Sequence, residues 1–220
     1  MKTLVIPDIH NKVDLANEIA ARHPEVDRIV CLGDYFDDFG DNQDDARRTA
    51  EWVKNRSHDE KWTLLVGNHD IAYMHNGGIF GCSGWTRRKQ LSVNDVLVSS
   101  DWSRLRLHTY VGDWLLTHAG FTDNLNVYDI DCVLHAAQDC LRRGQPHRLL
   151  LAGVSRGGDQ RYGGVLWCDW SEFSPIAGVS QLFGHTQGAT VRRNGDNVCL
   201  DTHLKHYAII TDGDLAIHEV

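Results

Sequence analysis

Leu4-Val5-Ile6-Pro7-Asp8-Ile9-His10, Arg28-Ile29-Val30-Cys31-Leu32-Gly33-Asp34 and Trp62-Thr63-Leu64-Leu65-Val66-Gly67-Asn68-His69 follow one plan. In each, a short apolar run stops abruptly at polar residues. A run that is apolar at nearly every position, rather than at alternate ones, reads as a strand buried on both faces. Helix candidates fill the gaps at about 12–21 and 43–56. The pattern is therefore βαβαβ, and the fold class is α/β. Ligands of open α/β sheets bind beyond the carboxyl ends of the strands. Asp8, His10, Asp34, Asn68 and His69 all stand at that end.

Further along, residues 75–90 are rich in glycine and carry Arg87-Arg88-Lys89. They read as a loop, either a flap on the substrate side or a solvated connector whose charges face water. Strands are expected at 104–111 and 113–117, the second opening into His118, and a helix between 128 and 143, where apolar residues fall on helical spacing. The second half then becomes strand-rich, with candidates at 149–152, 165–167, 180–183, 189–192, 197–200, 207–211 and 215–219. Asn194-Gly195 and Asp212-Gly213 are hairpin-turn dipeptides. No linker or repeat divides the chain, so residues 1–220 are expected to form one domain of two packed sheets with outer helices.

Composition narrows the function classes. Lys and Arg total 22 against 30 Asp and Glu, a net charge of -8, which argues against a general nucleic-acid or anionic-membrane binder. It leaves phosphate substrates open, because bound cations invert the local charge of an acidic site. Six scattered cysteines without a CxxC pair point to buried free thiols rather than a zinc ribbon or redox dithiol. The amino terminus lacks the apolar length of a signal peptide or membrane span, so a cytoplasmic location is expected.

The polar clusters supply Asp8, His10, Asp34, Asn68, His118 and His185 from segments far apart in sequence. A core has little use for such groups, since each would need a partner to offset its desolvation. Two adjacent divalent cations would use nearly all of them. Asp8 and His10, two residues apart, can address one ion from the same side. The two oxygens of Asp34 can bridge a pair, and mixed nitrogen and oxygen ligation suits manganese, iron or zinc. Manganese is the expected ion, with iron, zinc or nickel as alternatives.

The segments DIH at 8–10, GDYFDD at 33–38, GNHD at 67–70, THAG at 117–120 and GHT at 184–186 resemble the calcineurin-like metallophosphoesterase superfamily. The likeness is to the branch holding bacterial and phage serine/threonine protein phosphatases and diadenosine tetraphosphatases. It implies a four-layer α/β/β/α sandwich of two mixed sheets with outer helices, the metals lying at one edge. It also implies that Asp8 and His10 hold a first metal, that Asp34 bridges, and that Asn68, His118 and His185 hold a second. A metal-bridging hydroxide would attack phosphorus, Asn68 would help neutralise the phosphoryl oxygens, and His69, oriented by Asp37, would protonate the leaving group. Asp70 is read as a loop organiser.

Two positions depart from the pattern. Gln187 stands where many phosphodiesterase branches carry a second histidine, which tilts the reading toward monoesters. Asp38 stands where the phosphatase branch usually has a phosphate-binding arginine. Arg156 and Arg161 are the candidates to compensate, with Arg87 a weaker third. The expected activity is metal-dependent hydrolysis of phosphomonoesters, of the serine/threonine protein phosphatase type, on a phosphorylated protein or small phosphoester. The alternative is a phosphodiesterase or dinucleoside polyphosphate hydrolase. His75, His203 and His206 are read as surface or hydrogen-bonded histidines.

Overall fold

A computed structural model describes residues 1–220. Strands β1 (Lys2–Ile6), β2 (Arg28–Cys31) and β3 (Trp62–Leu64) lie parallel, linked by α1 (Val13–Ala21) and α2 (Gln43–Ser57). Strands β4 (His108–Val111) and β5 (Trp114–Thr117) form an antiparallel hairpin, and β6 (Ser180–Phe183) adds in parallel to β5. The chain closes with β7 (Arg192–Asn194), β8 (Asn197–Cys199), β9 (His206–Thr211) and β10 (Asp214–Glu219). Two five-stranded mixed sheets result, ordered β10-β9-β1-β2-β3 and β4-β5-β6-β8-β7. Asp212-Gly213 makes the β9–β10 turn as its sequence predicts, whereas the β7–β8 turn falls one residue later than expected, on Gly195-Asp196, because Asn194 still pairs with Asn197.

The apolar runs of the first sheet resolve into two faces. In β1, Leu4 and Ile6 pack outward with α1 and α2, while Val5 packs inward. In β2, Ile29 and Cys31 go outward and Val30 inward. The inward set meets Leu116, Leu182 and Val198 of the second sheet, and that contact forms the layer between the sheets. Helix α6 (Ile130–Arg143) buries Leu134, Ala137 and Leu141 in the outer core. This is the α/β sandwich expected from the motifs. No helix is long and apolar enough to cross a membrane.

Several expected elements differ. Neither 149–152 nor 165–167 is a strand: Leu149 and Leu150 end a short 3-10 helix (Arg148–Leu150), and 165–167 form a turn. Leu149, Leu150, Val165 and Leu166 are fully buried, which accounts for their apolar run, but their neighbours' backbone bonds close locally, as from Trp167 N–H to Gly164 C=O at 2.8 Å. Residues 75–90 are only partly a loop. After α3 (Asn68–Met74), Thr86 caps a helix α4 (Arg87–Asn94) by accepting the Lys89 N–H, and a short α5 (Ser99–Trp102) follows. The cysteines are not uniformly buried either. Cys31, Cys168 and Cys199 are, but Cys132 is exposed on α6 and Cys82 is half-buried beside His69.

Candidate metal centre

Every expected ligand stands just beyond a strand or at the start of α3, and the tertiary fold gathers them. Asp8, Asp34, Asn68, His118 and His185 are buried, and His10 is partly so. Donor atoms of Asp8, His10 and Asp34 lie within 4.8 Å of one another, as do those of Asp34, His118 and His185. Asp34 belongs to both groups. Four residues here, His10, Asp34, Asp37 and His185, have φ between 43° and 68°. Such left-handed backbone is costly for non-glycine residues and clusters at functional sites.

Two of the three histidine donors are aimed by a bond from their other ring nitrogen. His118 donates from Nδ1 to the Leu32 carbonyl at 3.0 Å, which turns Nε2 toward Asn68 Oδ1 (3.0 Å) and Asp34 Oδ2 (3.4 Å). His10 donates from Nδ1 to the Asp37 carbonyl at 2.6 Å, leaving Nε2 free. Fixing one ring nitrogen this way is how a ligating imidazole is oriented. Asp70 accepts from the backbone N–H groups of Asp34, Tyr35 and Gly67 at 2.7–2.8 Å, and so clamps the Asp34 loop to α3, as a loop organiser should. Gly184 is required here: a Cβ would sit 1.8 Å from Asp8 Oδ1.

The donor set fits a pair of divalent cations. Asp8 Oδ1 and His185 Nε2 are both buried and accept or donate no hydrogen bond. Two such orphans in one pocket are expensive unless a cation satisfies them. Burial, then the nearby Asp201 carboxylate, pushes the Asp8 carboxyl well above its usual range. Burial would also raise Asp34, but the charges of His118, His69 and His10 outweigh it and hold that carboxyl well below. Burial and the His118 charge push His185 well down, leaving a neutral imidazole with a lone pair to give.

Beside this floor stands His69. Its Nδ1 is 2.9 Å from Asp37 Oδ2, and Asp37 Oδ1 receives the Tyr73 hydroxyl and the Lys89 ammonium, each at 2.6 Å. Burial works against the imidazolium, but Asp34 and Asp37 together raise His69 well above an ordinary histidine. Lys89 also bonds Asp41 at 2.8 Å and is itself buried. Sequence reasoning missed the role of Lys89, which it placed in a loop that was either a substrate-side flap or a solvated connector. The available signal was Thr86, an N-cap that would have turned Arg87-Arg88-Lys89 into a first helical turn.

His10, Asp34, Asn68 and His185, together with Asp37 and His69, line a cavity of about 650 Å³. Arg156 reaches its rim, held by Asp169 at 2.7 Å and near Thr186 Oγ1 at 3.4 Å. Arg161 does not: its guanidinium lies 5.1 Å over the Tyr162 ring in a separate hollow shared with Arg148. The expectation that Arg161 binds phosphate at this cavity is therefore corrected, because the turn around Gly157 sends the two arginines to different sites. Arg87 is exposed and lies outside the cavity. Asp38 lines the rim, but Lys12 Nζ sits 2.8 Å from Oδ2 and the Phe39 N–H donates to Oδ1, so its charge is matched. Gln187 Nε2 bonds His203 Nδ1 at 2.6 Å. His75 bonds the Leu141 carbonyl and His206 the Thr202 hydroxyl, both as hydrogen-bonded histidines.

The family model for calcineurin-like phosphoesterases matches residues 1–189, and the chain belongs to that family. Its members are metal-dependent phosphoester hydrolases, the class this fold and donor set define. Among solved structures, a cold-active protein-tyrosine phosphatase of a psychrophilic Shewanella superposes with a TM-score of 0.67 at 13% identity, covering 99% of this chain and 77% of that one. A protein serine/threonine phosphatase from Saccharomyces cerevisiae gives 0.61 at 14%, covering 99% and 79%. A protein assigned as a diadenosine tetraphosphatase gives 0.54 at 15%, covering 99% and 93%. At these identities the likeness is one of fold. No curated protein matches the chain in sequence.

Proposed function

We propose that the protein hydrolyses phosphomonoesters, in the manner of a serine/threonine protein phosphatase, with two divalent ions held by Asp8, His10, Asp34, Asn68, His118 and His185. Ions so held supply Lewis acidity to the phosphoryl oxygens and a water of lowered pKa, and manganese suits the mixed donors. The remaining work falls to the chain. The observation that carries the reading is the Asp37–His69 pair at 2.9 Å, which lines the same cavity as His10, Asp34, Asn68 and His185. Asp37 orients the ring and favours its protonated form, so His69 is suited to deliver a proton to the departing alcohol oxygen.

The matching of Asp38 by Lys12 supports a monoester over a diester. An isolated carboxylate at the rim would repel the second charge of a monoester, whereas this one is offset by an ammonium at 2.8 Å. Arg156 at the same rim supplies a guanidinium that can fork onto phosphate.

The test is a panel assayed with manganese: p-nitrophenyl phosphate, its bis-ester, a phosphoserine peptide and a dinucleoside polyphosphate. Monoester turnover should dominate and be abolished by chelation. His69→Asn should keep its metals yet lose roughly 10²–10⁴-fold on the phosphoserine peptide, and much less on p-nitrophenyl phosphate, whose leaving group needs little protonation. Equal losses on both would remove His69 as the acid. Preferred cleavage of the bis-ester or the dinucleotide would replace the phosphatase reading with a phosphodiesterase or dinucleoside polyphosphate hydrolase.

A further inference from the structure

Cys82 has no place in that chemistry, yet its Sγ lies 3.5 Å from His69 Nδ1. Sγ, Nδ1 and an Asp37 carboxylate oxygen all fall within 4.8 Å of one another. Nothing accidental in the chain direction brings them together: Asp37 follows β2, His69 lies on α3, and Cys82 comes from the loop before α4. The loop is pressed onto Asp37 at Gly84, whose φ is +87° and whose Cβ, if present, would be 2.8 Å from the Asp37 side chain. No other cysteine belongs to a cluster of three or more potential ligands.

We propose that Cys82, His69 and Asp37 form a third metal site, distinct from the dinuclear floor and selective for a thiophilic divalent ion such as zinc or cadmium, and that filling it switches the enzyme off. Sulfur, nitrogen and oxygen donors with one open position for water make a tetrahedral zinc site, whereas the floor offers only nitrogen and oxygen. Geometry also supplies the switch. Asp37 Oδ2 lies 2.9 Å from His69 Nδ1, and Lys89 holds the other carboxylate oxygen at 2.6 Å. An ion entering between Sγ, Nδ1 and Oδ2 bonds to all three and takes the place of the Asp37–His69 hydrogen bond, while any protons carried by Sγ and Nδ1 leave to solvent and no electron is transferred. The ring is then held by the ion instead of by Asp37, and the contact that orients His69 toward the departing oxygen is lost. This inhibition rests on the reading of His69 as the proton donor, whereas the site itself does not.

The manganese-loaded protein is titrated with Cd²⁺ while ultraviolet absorption, manganese content and hydrolysis of a phosphoserine peptide are followed. A thiolate-to-metal charge-transfer band should grow to one ion per chain with manganese retained. Hydrolysis should fall by about 10²-fold over the same range, the scale of a lost general acid. Zn²⁺ should inhibit likewise, and p-nitrophenyl phosphate should be spared by comparison. In Cys82→Ser the band should vanish, and the ion concentration needed to inhibit should rise at least about tenfold, as expected for loss of a soft ligand. No band, or a band that survives in Cys82→Ser, overturns the site. A Cys82-dependent band with undiminished hydrolysis overturns the switch. If His69→Asn shows no leaving-group dependence, the proton-donor reading fails separately, because the band reports thiolate ligation whatever His69 does in catalysis.

Discussion

The floor and the rim of the cavity are built on opposite plans. Floor residues Asp8, Asp34, Asn68, His118 and His185 are buried, each set just beyond a strand or, for Asn68, at the start of α3. Rim residues Asp38, Phe39, Arg156, Gln187 and His203 come from irregular loops, and Phe39 is 100% exposed. Floor charges are unpaired except with one another, while rim charges are neutralised locally, Asp38 by Lys12 and Arg156 by Asp169. A buried set of mutually repelling or orphaned donors makes sense only around a cation. A rim of matched pairs can be altered at little cost to the fold. On the function proposed above, reaction class belongs to the floor and substrate choice to the rim.

The sharpest break of that contrast is Asp34→Asn. As the one residue in both donor groups, it should cost both metal occupancy and more than about 10²-fold in hydrolysis, measured by elemental analysis and steady-state rates. A variant with two tightly held ions and near-full turnover would remove the bridging role. Lys89→Met probes the wall between floor and rim. It leaves Asp37 and Asp41 without their buried cation and should destabilise the protein by about 3 kcal/mol, read by denaturant unfolding. A loss no larger than that of an exposed ion pair would mean that water reaches these carboxylates.

Rim changes should be milder and substrate-selective. Asp38→Arg frees Lys12 and adds a guanidinium, so KM for phosphomonoesters should fall roughly tenfold, with less gain for diesters. Lys12→Met should act in reverse, baring the Asp38 charge and raising monoester KM. Should neither move KM, Asp38 does not face the substrate phosphate. The smallest effect lies away from the cavity, at Asp101. Burial would raise its carboxyl, but His58, the Val98 N–H and Lys54 outweigh this and hold it below the usual range. A depressed folded pKa stabilises above the unfolded value of about 4 and loses that effect as pH falls through the folded one. Asp101→Asn should therefore lower Tm at neutral pH, with the difference closing below about pH 4. A pH-independent difference would assign the loss to packing.

The sequence by itself determined the floor. Strands β1 and β2 must be buried on both faces because their runs are apolar at nearly every position, and a polar cluster at such a strand end has few uses beyond ligation. That logic is local, so Asp8, Asp34 and Asn68 were legible without coordinates, and family motifs added His118, His185 and the Asp37–His69 pair. Only the tertiary structure decided the surroundings. Leu149-Leu150 and Val165-Leu166 are as apolar as strands yet form a 3-10 helix and a turn, because burial can be satisfied without lateral pairing. Lys89 looked like a loop charge until α4 carried it to Asp37 across 52 residues of sequence. Arg156 and Arg161 are near neighbours in the chain but serve different hollows, and Lys12 meets Asp38 across a gap of 26 residues. Ion pairs and side-chain direction depend on which loops meet in space, and a one-dimensional pattern holds no record of that meeting.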